Sequence, residues 1–240
     1  MINFAHRGAS SDYPENTMLS LREGIKSGAR GLEIDVHKTK DNKIVVIHDE
    51  DIERTFIVKG LIKDFTLEEL KSFKNRKKLF RDNEECHIPT LEEVLELIKD
   101  IDILLNIELK TDIINYKGIE EDVINLIRTY NLEDKIIISS FNHESIKKVK
   151  AISNIKTGIL YESPIENVVE YAKALGVDAI HPSLLLVSEE LIKEAHEKNL
   201  KVNIFTVNNP IHMRLLIKNK VDGAFTDYQE LLSEILKEEI

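Results

Sequence analysis

Charged and imidazole side chains recur two residues apart in short apolar stretches of this 240-residue chain. Glu33 and Asp35 alternate with apolar residues in GLEIDV, and Glu108 and Lys110 do so in NIELK. His6 and Arg7 adjoin in AHRG, and His48 lies in VIHD. The two-residue strand period puts Glu33 and Asp35 on one face, and Glu108 and Lys110 on one face. Glu33, Asp35 and Glu108 together make a hard oxygen site. Such a site suits Mg²⁺ or Ca²⁺ rather than Zn²⁺, for which thiolates or several imidazoles are expected. Arg7 and Lys110 add positive charge beside it. This set suits a phosphate ester, because a metal ion and two cations stabilise charge on nonbridging oxygens while His6 and His48 exchange protons with nucleophile and leaving group. Taken singly, each piece has a plain structural reading as a strand end, a polar face or an ion pair. His143, His181 and His196 keep that reading, as hydrogen-bonded structural residues.

The elements that must position these residues are legible as well. Eight β-branched runs alternate with segments of helical periodicity, the pattern of βα units and a parallel sheet. The runs are Ile2–Ala5, Leu32–Val36, Leu104–Leu109, Ile136–Ser139, Thr157–Tyr161, Ala179–His181, Val202–Val207 and Gly223–Thr226. Eight strands close a barrel, so the expected fold is a (β/α)₈ TIM barrel. Helices are predicted over Thr17–Ser27, Leu91–Lys99, Ile119–Tyr130, His143–Ala151, Ile165–Leu175, Ser188–Asn199 and Ile211–Lys218. Thr90 with Glu93 and Thr66 with Glu69 match the capping box, and Gly28, Gly176 and Asn199 sit where helices should stop. The βα spacing breaks once, over residues 49–88, which holds only a short helix at Leu67–Phe73. This segment reads as an insertion on one barrel rim, within a single domain spanning residues 1–240.

Every residue of the candidate set falls at a predicted strand C-terminus, where barrel enzymes carry their sites. Ser140-Phe141, Tyr161-Glu162, Phe205-Thr206 and Thr226-Asp227 join them there. EIDVHKTKDNKIVVIHD reads further as a hairpin with a two-residue turn at Asp41-Asn42. With that turn Lys40 faces Lys43, and Asp35 faces His48 directly.

Composition excludes other classes. A net charge of −10 and a pI near 5.4 would repel a polyanionic backbone, so nucleic acid is not an expected partner. Cys86 is the sole cysteine, which rules out an internal disulfide and a thiolate metal cage. MINFAHRGAS lacks the basic and apolar regions of a signal peptide, and no apolar run nears the ~20 residues that cross a bilayer. A cytoplasmic location is expected.

HRGAS, YPENT, EIDV, VIHD, an ERT segment, IPTLEEVL, NIELK, SSF, FTVN and DGAFTDY follow one another in an order and spacing that resemble the glycerophosphodiester phosphodiesterases along essentially the whole chain. The resemblance implies metal-dependent hydrolysis of a glycerophosphodiester to glycerol 3-phosphate and an alcohol. It implies His6 and His48 as the catalytic pair, Glu33, Asp35 and Glu108 as metal ligands, and Arg7 and Lys110 as phosphate contacts. The family's insertion after HD corresponds to residues 49–88. Departures fall elsewhere: Phe205 stands where the family often has tryptophan, Gln229 where proline is usual, and Phe56 where a second threonine is common. They bear on the alcohol-binding pocket, to which Phe141 and Phe205 are assigned. Two other activities fit the same fold. A lysophospholipase-D-like enzyme resembles secreted, disulfide-bearing proteins, features missing here, and a non-catalytic phosphate-binding barrel has no use for a matched histidine pair.

Overall fold

The computed structural model describes residues 1–239. Eight parallel strands form a closed ring: β1 (Ile2–His6), β2 (Gly31–Lys38), β4 (Leu104–Leu109), β5 (Ile136–Ser140), β6 (Lys156–Tyr161), β7 (Ala179–Pro182), β8 (Lys201–Ile204) and β9 (Gly223–Thr226). β1 pairs with both β2 and β9, which closes the barrel. A short strand, β3 (Ile44–Val46), lies antiparallel on the outer part of β2. The helices α1 (Met18–Lys26), α3 (Leu91–Ile98), α4 (Ile119–Thr129), α5 (His143–Ile152), α6 (Val168–Leu175), α7 (Glu189–Glu197), α8 (Pro210–Lys218) and α9 (Gln229–Glu238) surround it, and α2 (Leu67–Ser72) lies in the insertion. No helix among the described residues is long and apolar enough to cross a membrane.

The strands are β-branched because both their faces are buried: outward residues such as Ile34, Ile107 and Ile138 pack under the helices in one large cluster. Inside the barrel, Phe4, Ile137 and Phe225 form a separate small cluster. Two strand glycines make room for large rings beside them. A Cβ at Gly31 would lie 2.3 Å from the Phe4 ring, and one at Gly158 would lie 2.4 Å from Nε2 of His181.

The helix signals hold. Both predicted capping boxes form, and Thr17 with Ser20 makes a third. Gly28, Gly176 and Asn199 take φ of +86°, +71° and +57°, the left-handed geometry of helix stops. α6 begins at Val168 rather than Ile165, behind Asn167 at φ +50°. β8 ends at Ile204, short of Val207. α9 was not predicted; it buries Leu232 and Ile235, and Asn3 donates to its Ser233 hydroxyl.

The hairpin register differs from the two-residue reading. Val36 pairs with Val46, His37 with Val45 and Lys38 with Ile44, so Asp35 lies level with Ile47, whose N–H donates to its carbonyl at 3.0 Å. The cause is a three-residue loop, Lys40-Asp41-Asn42. Asn42 adopts φ +59°, and the Thr39 hydroxyl donates to Asp41 and accepts from the Lys43 N–H. His48 therefore does not oppose Asp35 across a ladder. Had β3 continued in this register, His48 would point to the other face. Instead the strand ends at Val46, and Nε2–H of buried His37 donates to the His48 carbonyl at 3.1 Å.

Residues 49–88 carry their own small core, with Ile52, Phe56, Ile62, Leu70 and Ile88 packed on Val45 and Ile47. Isolated bridges pin the segment internally, Asp51 to Leu61 and Phe56 to Asn75.

Candidate active site

Parallel register alone aligns much of the site. Asp35 is the lateral partner of Glu108, and Glu33 is the partner of both His6 and Asn106. Glu33, Asp35 and Glu108 each offer an oxygen, all within 4.8 Å of one another, although the residues are only 3%, 1% and 8% exposed. Burial and then repulsion from Asp35 push the Glu108 carboxyl up to about 7, and burial, Asp35 and Glu108 push Glu33 well above its usual range. Burial opposes ionisation of Asp35 too, but Arg7, His48, Lys110 and an amide bond from Asn16 at 2.8 Å hold it below its ordinary value. Three buried carboxyls of which two resist ionisation have too little positive charge around them. A divalent cation fits that deficit and that all-oxygen donor set.

The cations that are present lie at the edge of this cluster. Arg7 sits at φ +57° immediately after β1, and its N–H donates to Oε2 of Glu33 at 3.0 Å. Its guanidinium donates to Glu15 at 3.0 Å and lies 3.5 Å from Asp35. Nζ of Lys110 donates to Glu108 at 2.9 Å and stands 5.9 Å from the centre of the Phe141 ring.

Each histidine of the set is backed by a carboxylate. Nδ1 of His6 lies 2.7 Å from Asp227, which also accepts from Ser10 and from the Asn208 amide at 2.6 Å. Burial alone would raise the Asp227 carboxyl; its bond with His6 outweighs this, and it falls to about 2. Nδ1 of His48 lies 2.6 Å from Asp49, which Arg54 also holds. Burial is overcome there as well, and Asp49 lies far below its usual range. An ionised carboxylate only accepts, so Nδ1 carries the proton in both rings and Nε2 is left free. Nε2 of His6 is 4.0 Å from Glu33.

A cleft of about 470 Å³ opens here, lined by His6, Arg7, Glu33, His48, Glu108 and Lys110, with Phe141 and Phe205 on its walls. The two phenyl rings meet edge to face, 5.7 Å between centres. Asp35 is in the carboxylate cluster but beneath the cleft surface. The three histidines read as structural are elsewhere: His143 bonds Tyr171 and the Leu160 carbonyl, His196 bonds Asp222, and fully buried His181 bonds Asn203, with burial lowering its imidazole to about 3.

Supporting residues were present in the sequence motifs without a role attached. Glu15 and Asn16 of YPENT hold Arg7 and Asp35. Arg54 of ERT reaches Glu15 through both terminal nitrogens, at 2.6 and 2.7 Å, and so ties the insertion to the first loop of the barrel. Asp49 directly follows His48, and a carboxylate beside a strand-end imidazole was the available signal; Asp227 follows Thr226 and had none beyond its strand end. Asn106, Asp112 and Glu162 also face the cleft.

Comparison with known proteins identifies the family. The model of the glycerophosphoryl diester phosphodiesterase family matches residues 6–231. A glycerophosphodiester phosphodiesterase of Caldanaerobacter subterraneus subsp. tengcongensis is 41% identical over 97% of this chain and 96% of its own. One from Bacillus altitudinis is 38% identical over 98% of each. Among solved structures, an Oleispira antarctica phosphodiesterase in complex with the product sn-glycerol-3-phosphate superposes with a TM-score of 0.86 at 27% identity, covering 99% of this chain and 97% of that one. With its closed barrel and the family's motifs along nearly its whole length, the chain belongs to the glycerophosphoryl diester phosphodiesterase family.

Proposed function

We propose that the protein hydrolyses glycerophosphodiesters to sn-glycerol 3-phosphate and a free alcohol, with His6 and His48 as its proton-exchanging pair. One observation carries the reading: two imidazoles in one cleft, each with Nδ1 bound by an ionised aspartate, flank a cluster of buried carboxylates. A phosphate-binding module needs the cations but not a matched pair of bases. Glu33, Asp35 and Glu108 would hold one Mg²⁺ or Ca²⁺, which when bound supplies Lewis-acid stabilisation of phosphate charge. Arg7 and Lys110 bind the nonbridging oxygens, and the Phe141–Phe205 pair packs against the carbon skeleton of the substrate. Residues 49–88 form an insertion within one barrel domain and shape the alcohol side of the cleft. Replacing them by a short loop should change the ranking of kcat/KM among diesters, and an unchanged ranking in a folded variant would refute that role.

Glycerophosphodiesters carry a hydroxyl next to the phosphorylated carbon. Attack by that hydroxyl avoids the entropy lost in bringing water to phosphorus. One histidine takes the hydroxyl proton as the P–O bond to the alcohol breaks, and the other protonates the departing alkoxide. Water then opens the cyclic phosphate with the roles reversed. The reaction is tested by incubating purified protein and Mg²⁺ or Ca²⁺ with a panel of glycerophosphodiesters and measuring glycerol 3-phosphate. No product from any diester would favour the binding module. A deoxy analogue lacking the neighbouring hydroxyl tests the route, since cleavage at the parent rate would replace cyclisation by direct attack of water.

A further inference from the structure

The charge of this protein is unevenly placed. Within a chain of net charge −10, the segment KSFKNRKKLFR holds Lys71, Lys74, Arg76, Lys77, Lys78 and Arg81 and no carboxylate. It belongs to the insertion and is fixed to the catalytic side of the barrel. The Arg76 N–H donates to the Thr55 carbonyl at 2.8 Å, its guanidinium donates to the carbonyls of Glu53 and Phe56, and Lys77 Nζ donates to the Tyr13 carbonyl at 3.0 Å. The rings of Tyr13 and Phe80 are 5.9 Å apart. Tyr13 lies two residues from Glu15, which Arg7 and Arg54 both hold, so the basic segment packs on the loop between β1 and α1, beside the site. Lys71 pairs with Glu93 and Lys74 with Asp82. Among the described residues, Arg76, Lys77, Lys78 and Arg81 make no ion pair.

Leu79 stands among these cations with 88% of its surface exposed. It has company on the same face. Ile113 follows β4 and is 72% exposed, Leu185 follows β7 and is 92% exposed, Tyr228 lies in the loop after β9, and Ile57 projects from the insertion. These tips fall on different segments of the chain, on the C-terminal side of the barrel strands. Of the other large apolar side chains exposed among the described residues, Ile152 ends α5, and Ile211 and Leu215 lie one turn apart on α8. A protein partner is matched by a contiguous apolar patch, whereas a flat, fluid surface touches separate loop tips together.

We propose that this basic, apolar-tipped rim docks the protein on an anionic lipid surface, with the cleft facing the headgroups. The unpaired cations gain from the negative surface potential, and Leu79 and its neighbours enter the interface between headgroups and acyl chains. The chain outside the basic segment is acidic overall and is repelled by the same surface, which favours approach through this segment. A soluble polyanion would use the cations equally but has no use for exposed leucine and isoleucine tips.

The test is co-sedimentation of the full chain with vesicles of phosphatidylglycerol and phosphatidylcholine, against phosphatidylcholine alone. Binding is expected only to the anionic vesicles and should weaken as salt screens it. Lys77→Gln with Lys78→Gln should lower partitioning roughly 30-fold, from two lost surface charges. Leu79→Ser should lower it at least ~10-fold, from one lost apolar insertion. An unchanged melting temperature shows that each variant is folded. No partitioning onto anionic vesicles at low salt overturns the proposal, as does parent-like partitioning of folded variants. A third overturning result is tight binding of soluble polyphosphate together with vesicle binding indifferent to Leu79→Ser, which makes the rim a polyanion site.

Discussion

The two mouths of the barrel use the same chemical group, the carboxylate, for opposite ends. At the N-terminal mouth, Asp178 and Asp222 each precede a strand and accept the N–H of the second residue of the neighbouring one, Thr157 and Val202, both at 2.9 Å. Asp222 also binds His196 at 2.7 Å and Lys201 at 2.8 Å, so its charge is fully met by the protein itself. At the C-terminal mouth Glu33, Asp35 and Glu108 are buried together, with Arg7, Lys110, His48 and the Asn16 amide as the counterweight. A buried carboxylate satisfied by backbone and cations stabilises the chain; a cluster left short of positive charge is available for a ligand. The carboxylates at one end therefore hold strands together, and those at the other are proposed to hold a metal ion and, beside it, a phosphate.

The comparison can be broken most directly at the metal. Excess chelator should abolish diester hydrolysis, and Mg²⁺ or Ca²⁺ should restore it, because bare carboxylates repel one another and an anionic substrate. Full activity in chelator would end the metal assignment. Next in size, His6→Ala and His48→Ala should each lower kcat by at least ~10² with smaller changes in KM, and the double variant should lose far less than the product. A variant retaining parent kcat would return that histidine to a structural role.

Asparagine substitutions then separate the two mouths. Asp227→Asn should lower kcat by about 10-fold with little change in melting temperature, because the amide no longer fixes the His6 tautomer. Asp222→Asn should leave kcat alone and remove about 1–3 kcal/mol of stability, the size of a hydrogen bond to a charged group. Equal kinetic losses in both would erase the distinction.

Smallest and most specific is the pH dependence. Asp222 is held below its usual value, through bonds from Lys201, the Val202 N–H and His196 that exceed the opposing effect of burial. It stabilises the fold above the ordinary carboxylate range, and that stability is lost as pH falls through it. Glu108 has the opposite sign. With its carboxyl raised to about 7 in the metal-free fold, stability is full below its ordinary value of 4.5 and declines as pH rises towards 7. Melting curves of chelated protein should fall across this window and those of metal-loaded protein should not. Coincident profiles would show that no ion neutralises the cluster.

Two residues show how far local pattern reached. Glu108 was placed correctly from NIELK alone, because a strand period of two fixes the face and the strand's C-terminal end fixes the mouth. His48 was brought to the right cleft for the wrong reason. The two-residue turn that seemed to oppose it to Asp35 is a three-residue loop, and His48 reaches the site only because β3 ends at Val46 and Asp49 holds its ring. Hairpin register depends on one turn conformation, here the left-handed Asn42, which sequence specifies weakly.

Alternation, β-branched runs and helix caps are properties of neighbouring residues, so the sequence by itself determined the eight strands, the barrel and the candidate set of His6, Arg7, Glu33, Asp35, His48, Glu108 and Lys110. Partners far apart in the chain were decided by the tertiary structure alone. Asp227 reaches His6 only when β9 closes on β1, and Glu15 meets Arg54 only when the insertion folds back over the first loop. Ring closure and loop packing bring together groups whose separation along the chain carries no periodic signal.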